Sequence, residues 1–215
     1  MAVSVHDIAA LIIEEQHAAG RSIDKMQLQK LLYLVQGANL TFWGEPAFRE
    51  PLLAYRNGPV VSVVEETYRS ATHGRRPLDR PLGGSPSRVS LEVAETVRTV
   101  LKHYGTWTAT NLERFVKKPG SPWRASRRGL PLRAASRDEI ALPAIAAWFD
   151  DNGIDPAPPK TEVWEPTDDE RLAADERLAK GIAPSLREPA FLTADEETAV
   201  RRALERAGRP GPSTS

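Results

Sequence analysis

Cysteine is absent from this chain of 215 residues. Without it there can be no disulfide, no thiolate nucleophile and no cysteine-ligated zinc site, and a reducing cytoplasm is the compartment that fits best. Long apolar runs are missing as well, since none approaches the roughly 18 residues that a membrane-spanning helix requires. No basic segment precedes the first apolar residues, so we expect no secretory signal. The chain is therefore predicted to be cytoplasmic, with no membrane partner.

Motifs that carry chemistry are also scarce. The four histidines (His6, His17, His73 and His103) have neither the HxxxH nor the HExxH spacing of a zinc site. The Gly83-Gly84 pair is not followed by the Lys-Ser/Thr of a phosphate-binding loop, and no GxSxG elbow occurs. We therefore expect no catalytic residues, no metal and no cofactor, and we do not expect an enzyme.

An excess of either charge is missing too, because 29 basic residues balance 29 acidic ones. DNA-binding domains usually carry a basic excess, which argues against that class. The distribution is nevertheless uneven. From Phe115 to Arg137 there is no acidic residue and there are seven basic ones: Lys117, Lys118, Arg124, Arg127, Arg128, Arg133 and Arg137. Such a run can attract phosphates or an acidic protein surface, and the alternative is a solvated loop.

The best-patterned stretch runs from Ile23 to Tyr68. It begins with an apolar stripe at i, i+3, i+4 and i+7, typical of a helix and formed by Leu28, Leu31, Leu32 and Val35. Asp24 and Gln27 have the spacing of a capping box, and Gly44 is suited to end the helix. The sequence therefore predicts a long helix from Asp24 to Gly44.

Two shorter elements are predicted after this helix. The segment EPLLAY reads as a short strand, closed by the turn residues Asn57, Gly58 and Pro59. A second helix is expected from Pro59, with a buried side formed by Val60, Val63, Val64 and Tyr68. We expect Leu78 and Leu82 to add an antiparallel strand to the one at EPLLAY.

The order of these segments and their amino-acid motifs resemble those of the Panacea domain of SocA-like antitoxins. The matching pieces are LQKLLYLVQG, an aromatic pair followed by Gly-Glu-Pro, an acidic-Pro strand start, and AYRNGPVV before the next helix. A weaker match lies in YGTWTATNLERFVKKPGSPWRASRRG, at Trp107, Ser121, Pro122, Trp123 and Arg124. The resemblance implies an antitoxin that sequesters a toxin encoded beside it without doing chemistry. One family member looks like an adaptor that delivers its toxin to a ClpXP-type protease, which is a further expectation here.

The rest of the first 154 residues also reads as helical, so we expect a mostly α domain with a small antiparallel β element. Caps, glycines and apolar spacing predict helices at Ser4–Ala19, about Arg88–Tyr104, Thr108–Val116 and Asp138–Asp151. Ser121-Pro122-Trp123 reads as a cap, a first helical residue and a core anchor. Arg124, Arg127 and Arg128 are expected to project from that short turn.

Composition changes at Asp155, and we expect residues 155–215 to be an appendage to the domain. Residues 156–166 hold four prolines and read as an extended linker. Thr167 and Thr193 each open a capped helix with a thin apolar stripe, and 209–215 reads as disordered. Such helices are marginal alone, so we expect them to lie across a partner. Their anchors would be Leu172, Leu178, Phe191, Leu192, Val200 and Leu204.

Two functions from different classes stay open at this point. The first is an antitoxin that binds a protein toxin, with Tyr55 and Arg56 of the turn, the three arginines after Trp123 and the tail anchors as contacts. The second is a nucleic-acid-binding regulator that uses the basic run from Phe115 to Arg137 as its phosphate contact. An enzyme of an unrecognised kind is third.

Overall fold

Helix α2 (Lys25–Trp43) is the longest element of the computed structural model, which describes residues 3–69 and 76–153. In chain order the other elements are α1 (Val5–Ala18), β1 (Leu52–Tyr55), β2 (Gly58–Val61), α3 (Ser62–Arg69), α4 (Leu91–Tyr104), α5 (Ala109–Val116), α6 (Pro122–Ser126) and α7 (Leu142–Asn152). The prediction of a mostly α domain with a small antiparallel sheet is confirmed for this part of the chain.

Both ends of α2 are set by residues close to them in sequence. The Asp24 Oδ1 atom accepts from the Gln27 backbone N–H at 2.7 Å, and the Gln27 Oε1 atom accepts from the Asp24 N–H at 3.0 Å. This capping box satisfies two donors that the first turn would leave unpaired. Gly44 ends the helix in the left-handed conformation, with a φ of 69°. The predicted boundaries of this helix are confirmed.

The core is built around α2, which packs against α1, α3, α4, α5, α7 and β2. Its predicted stripe is buried, since no side chain in it is more than 1% exposed: Leu28, Leu31, Leu32 and Val35. Helix α7 approaches at Gly37, where a β-carbon would overlap the ring of Phe149. A glycine on this face therefore lets the two helices pack closely, and the same ring meets that of Tyr33 edge-on.

Strand β1 pairs with β2, which corrects the predicted partner. The hairpin closes through the two-residue loop Arg56-Asn57, and the register places Tyr55 opposite Gly58 and Ala54 opposite Pro59. The prediction of a helix that starts at Pro59 is wrong, because residues 59–61 belong to β2 and α3 begins only at Ser62. Gly58 has a φ of 102°, as expected for a backbone geometry that a side chain disfavours.

Pro59 is tolerated inside a strand because its position needs no backbone donor. The residue opposite, Ala54, turns its own polar groups away from β2: its N–H donates to the Asp138 carbonyl at 2.7 Å, and its carbonyl accepts from Arg127. Ala54 and Pro59 therefore form a non-hydrogen-bonded pair, in which proline removes no ladder bond.

The second edge of β1 is covered by residues 138–140, not by the predicted strand at Leu78 and Leu82. The Ile140 N–H donates to the Leu52 carbonyl at 2.8 Å, and Leu53 forms an isolated antiparallel bridge with Glu139. Leu78 instead donates its N–H to the Ile23 carbonyl. Since residues 138–140 are extended, α7 starts at Leu142 and not at Asp138 as predicted.

The remaining predicted helices α1, α4, α5 and α6 are present, and their N-caps are Ser4, Ser90, Thr108 and Ser121. The predicted burial is wrong at Val63, which is 41% exposed because it lies on the solvent side of α3. None of the helices in the described ranges is long and apolar enough to span a bilayer. The predicted linker and tail, residues 155–215, lie outside those ranges.

Candidate partner-binding surface

Helix α6 packs against strand β1, which leads into the hairpin tip. Trp123, the predicted core anchor of α6, is fully buried, and its Nε1 donates to the Tyr55 carbonyl at 2.8 Å. Ser121 caps α6 by accepting from the Arg124 N–H. The cap and the tryptophan thus fix α6 against the end of β1 that carries Tyr55.

Arg127 does not project from α6, which corrects the prediction that it contacts a partner. Its side chain is 1% exposed, and its guanidinium donates to four carbonyls, at distances between 2.6 and 3.4 Å: those of Ala54, Pro131, Leu132 and Ala134. It also lies 4.6 Å from the centroid of the Trp123 ring. The chain after α6 wraps over this arginine and supplies three of the four acceptors. Arg127 therefore connects β1, α6 and the loop at 131–134.

Burial shifts the protonation equilibrium of this guanidinium. Desolvation lowers the pKa of Arg127, and the charge of Asp138 opposes that shift. No carboxylate is among its hydrogen-bond partners within the described ranges. The positive charge is met by carbonyl dipoles, so removing the side chain would leave several buried acceptors unpaired.

The other predicted contact residues within the described ranges are partly or fully exposed. Tyr55 and Arg56 at the hairpin tip are half-buried, and Arg137 reaches over the Tyr55 ring with its guanidinium carbon 5.8 Å from the centroid. Arg124 is half-buried and donates from Nε to the Lys117 carbonyl at 3.3 Å. Arg128 is exposed and has a φ of 47°. We call these five residues the hairpin surface.

Part of the basic run is used inside the domain itself. Lys117 pairs with Glu113 at 2.8 Å and lies 4.9 Å from the centroid of the Trp123 ring. Lys118 lies 4.6 Å from the centroid of the Phe115 ring. Together with the burial of Arg127, these contacts reduce the charge that the run presents to solvent.

Two buried polar side chains of α2 hold strand β2 in place. Neither residue was predicted from the sequence to have this role. The Gln29 amide bonds the Val61 backbone twice, accepting from its N–H at 2.8 Å and donating to its carbonyl at 3.3 Å. Lys30 is fully buried and donates from Nζ to the Pro59 carbonyl at 3.0 Å. In the sequence, the only indication that Gln29 and Lys30 are buried is their position next to the apolar stripe of α2. That position does not show that their hydrogen-bond partner is strand β2.

The burial of Lys30 has an electrostatic cost. Desolvation lowers its pKa to about 8, an effect that the nearby Glu113 opposes and Lys117 reinforces. The side chain also fills the space beside Gly58, since a β-carbon there would lie 2.8 Å from Lys30 Cε. The glycine and the lysine are thus fitted to each other, and together they fix the geometry of the hairpin tip.

The described residues contain no group of three or more histidine, aspartate or glutamate side chains that could hold a metal ion. Two of the histidines make structural contacts: His6 Nε2 lies 2.9 Å from the Thr67 hydroxyl, and His17 Nε2 lies 2.8 Å from the Leu78 carbonyl. His73 and the six predicted tail anchors lie outside the described ranges.

Comparison with known proteins identifies the central part of the chain. Residues 28–124 match the family model described as "Antitoxin SocA-like, Panacea domain". No curated protein and no solved structure gives a significant match. The matched region begins within α2 and ends within α6, so it includes Tyr55, Arg56 and Arg124 and leaves out Arg127, Arg128 and the tail.

Proposed function

We propose that the protein is an antitoxin that neutralises a partner toxin by binding it directly, because residues 28–124 match the family model of the Panacea domain of SocA-like antitoxins. The family match is the observation that carries this proposal. The role requires no chemistry from the antitoxin itself. A toxin encoded by a neighbouring gene is the expected partner.

The hairpin surface supports this proposal as a candidate contact region. Tyrosine and arginine are enriched among the residues that dominate binding energy at protein interfaces. Here Tyr55, Arg56 and Arg124 are accessible while the backbone beneath them is held by the buried side chains of Lys30 and Trp123. A preformed surface of this kind loses little conformational entropy on binding.

Co-expression with the neighbouring gene tests the function, with growth rescue and co-purification of the two proteins as readouts. In the contact test, Arg124→Glu and Arg128→Glu are combined. Arg127 is left intact because its burial would confound the result. We expect the double variant to keep its melting temperature, to bind the toxin more weakly and to show a flatter salt dependence. If the two charge reversals leave the affinity for the toxin unchanged, the hairpin surface is not a toxin contact.

The tail is a second proposed contact. Deleting residues 156–215 should leave a folded domain that binds the toxin at least about tenfold more weakly, a loss of about 1.4 kcal/mol. Circular dichroism provides the folding control. Full rescue of growth by the truncated chain would show that the tail anchors are not needed.

Two modes of neutralisation agree with the family, namely blocking the toxin and delivering it to a ClpXP-type protease. The toxin half-life in cells distinguishes them. Delivery predicts that co-expression shortens this half-life and that loss of the protease restores it, whereas blocking predicts a stable toxin.

The nucleic-acid alternative is less well supported, since Lys117 and Arg127 of the basic run are engaged within the domain. A gel shift with the promoter upstream of the gene is the direct test. A shift that weakens steeply with salt and is lost in the Arg124/Arg128 double variant would favour nucleic acid over a protein partner at this surface.

A further inference from the structure

A groove opens between the end of α2 and the start of α4, away from the hairpin surface. Its first part is a cavity of about 370 Å³ lined by Trp43 and Val93, with Val3 from the N-terminal segment. A second cavity of about 340 Å³ shares Val3 and Arg49 with the first and reaches Glu50. We call the two cavities together the α2–α4 groove.

The tryptophan that forms one wall is held in a fixed orientation. Trp43 is 46% exposed, yet its Nε1 donates to the Thr96 hydroxyl at 3.2 Å. Thr96 is buried and donates to Asn39 Oδ1 at 2.9 Å, and the Asn39 amide donates to the Glu45 carbonyl at 2.8 Å. This buried chain of hydrogen bonds orients the indole before any partner arrives. A half-exposed tryptophan held in this way is typical of an interface anchor.

The charges around the groove are mainly negative. Three acidic residues, Glu45, Glu92 and Glu50, line it, against the single basic residue Arg49. Glu50 Oε1 accepts from the Val5 N–H at 3.2 Å, whereas its buried Oε2 has no hydrogen-bond partner among the residues described. The excess of acidic over basic residues along the groove would favour a cationic side chain there.

We propose that the α2–α4 groove binds a cationic side chain of the toxin, an arginine or a lysine with an apolar neighbour. The inference rests on the proposed antitoxin function and adds a binding site separate from the hairpin surface. The apolar neighbour would pack on Val93 and Trp43, the cation would lie against the indole face, and the three carboxylates would complement its charge. Trp43 of the aromatic pair, together with Glu45 and Pro46 of the turn that follows, lines this groove.

The test compares matched pairs of variants in toxin binding. Trp43→Ala removes the aromatic wall, and its control is Phe42→Ala, since Phe42 is similarly exposed but does not line the groove. Glu92→Lys reverses one of the carboxylates, and its control is Glu95→Lys, one turn further along α4 and also exposed. Affinity for the co-expressed toxin is measured at low and high salt, and thermal melting checks the fold of every variant.

We expect Trp43→Ala and Glu92→Lys each to weaken toxin binding at least about tenfold, with controls within about twofold of the wild type. The loss at Glu92→Lys should shrink at high salt. If the wild type binds toxin and all four variants bind equally well, the groove is not a contact and the antitoxin function stands. If the wild type binds no toxin, the proposed function fails and this inference with it. Because Glu92→Lys changes an exposed side chain, it also decides the matter if Trp43→Ala unfolds.

Discussion

The buried lysine beneath the hairpin predicts an unusual dependence of stability on pH. The pKa of Lys30 is lowered from 10.5 to about 8 by burial, so between these values the unfolded chain holds a proton that the folded protein has released. Stability must then rise with pH across this window, because the unfolded state binds more protons. Below pH 8 both states are protonated, and the folded state bears the cost of an incompletely solvated charge.

The size of the effect follows from the shift. A difference of about 2.5 pKa units corresponds to about 3 kcal/mol in total, of which about 1 kcal/mol should be recovered between pH 7 and pH 9. Above pH 10 the trend should reverse. Burial raises the pKa values of Tyr33 and Tyr68, so their hydroxyls ionise first in the unfolded chain and favour it. The free energy of unfolding should therefore be highest between about pH 9 and pH 10.

Urea unfolding at pH 7, 8 and 9, at constant ionic strength, measures this dependence. With an m-value of about 2 kcal/mol/M, the wild-type midpoint should rise by about 0.5 M across the range. Lys30→Met keeps most of the side-chain volume and removes the charge. Between pH 7 and pH 9 the midpoint of this variant should therefore rise by about 0.5 M less than that of the wild type, which means that it should stay nearly constant. Lys102→Met, at an exposed position of α4, is the control for loss of a lysine and should follow the wild type.

Two results would refute this reasoning. One is a wild-type stability that is flat or falls between pH 7 and pH 9. The other is a Lys30→Met variant whose stability rises as steeply as that of the wild type, since another group would then be responsible.

Three further predictions concern the frame of the domain. Leu32→Ala should cost about 2–5 kcal/mol and abolish neutralisation through unfolding, and an inactive variant with the wild-type melting temperature would contradict this. Gly58→Val should cost about 1–3 kcal/mol, because φ is 102° and a β-carbon would meet Lys30; an unchanged urea midpoint would disprove it. Arg127→Leu should cost at least about 2 kcal/mol by leaving carbonyls unpaired, whereas Arg128→Leu should stay within about 0.5 kcal/mol. If the two variants unfold at the same urea concentration, Arg127 does not have the structural role given to it.

Much of the helical framework could be predicted from the sequence because its signals are local. A capping oxygen and the N–H groups it satisfies lie within three residues of each other, as at Asp24 and Ser121. A glycine with a positive φ at a helix end, such as Gly44, is local in the same sense. The apolar spacing of α2 likewise needs no knowledge of what packs against it.

The sheet and the candidate surface were harder to predict because they depend on pairings across the chain. Pro59 and Val60 are compatible with a helix start, and only the neighbouring Ala54, whose polar groups face the other way, makes a strand acceptable. Arg124, Arg127 and Arg128 look alike in sequence. Only the loop that folds over α6 makes Arg127 a buried connector and leaves the other two accessible.

The sequence by itself determined where most of the helices begin and end, most of their apolar faces and which family the chain resembles, since each of these depends on residues a few positions apart. The tertiary structure alone decided which polar groups are buried. Lys30 meets its acceptor 29 residues along the chain, and Arg127 meets Ala54 across 73 residues. Burial of a charge is a property of the whole fold, because the atoms that remove water and supply the acceptors come from distant segments.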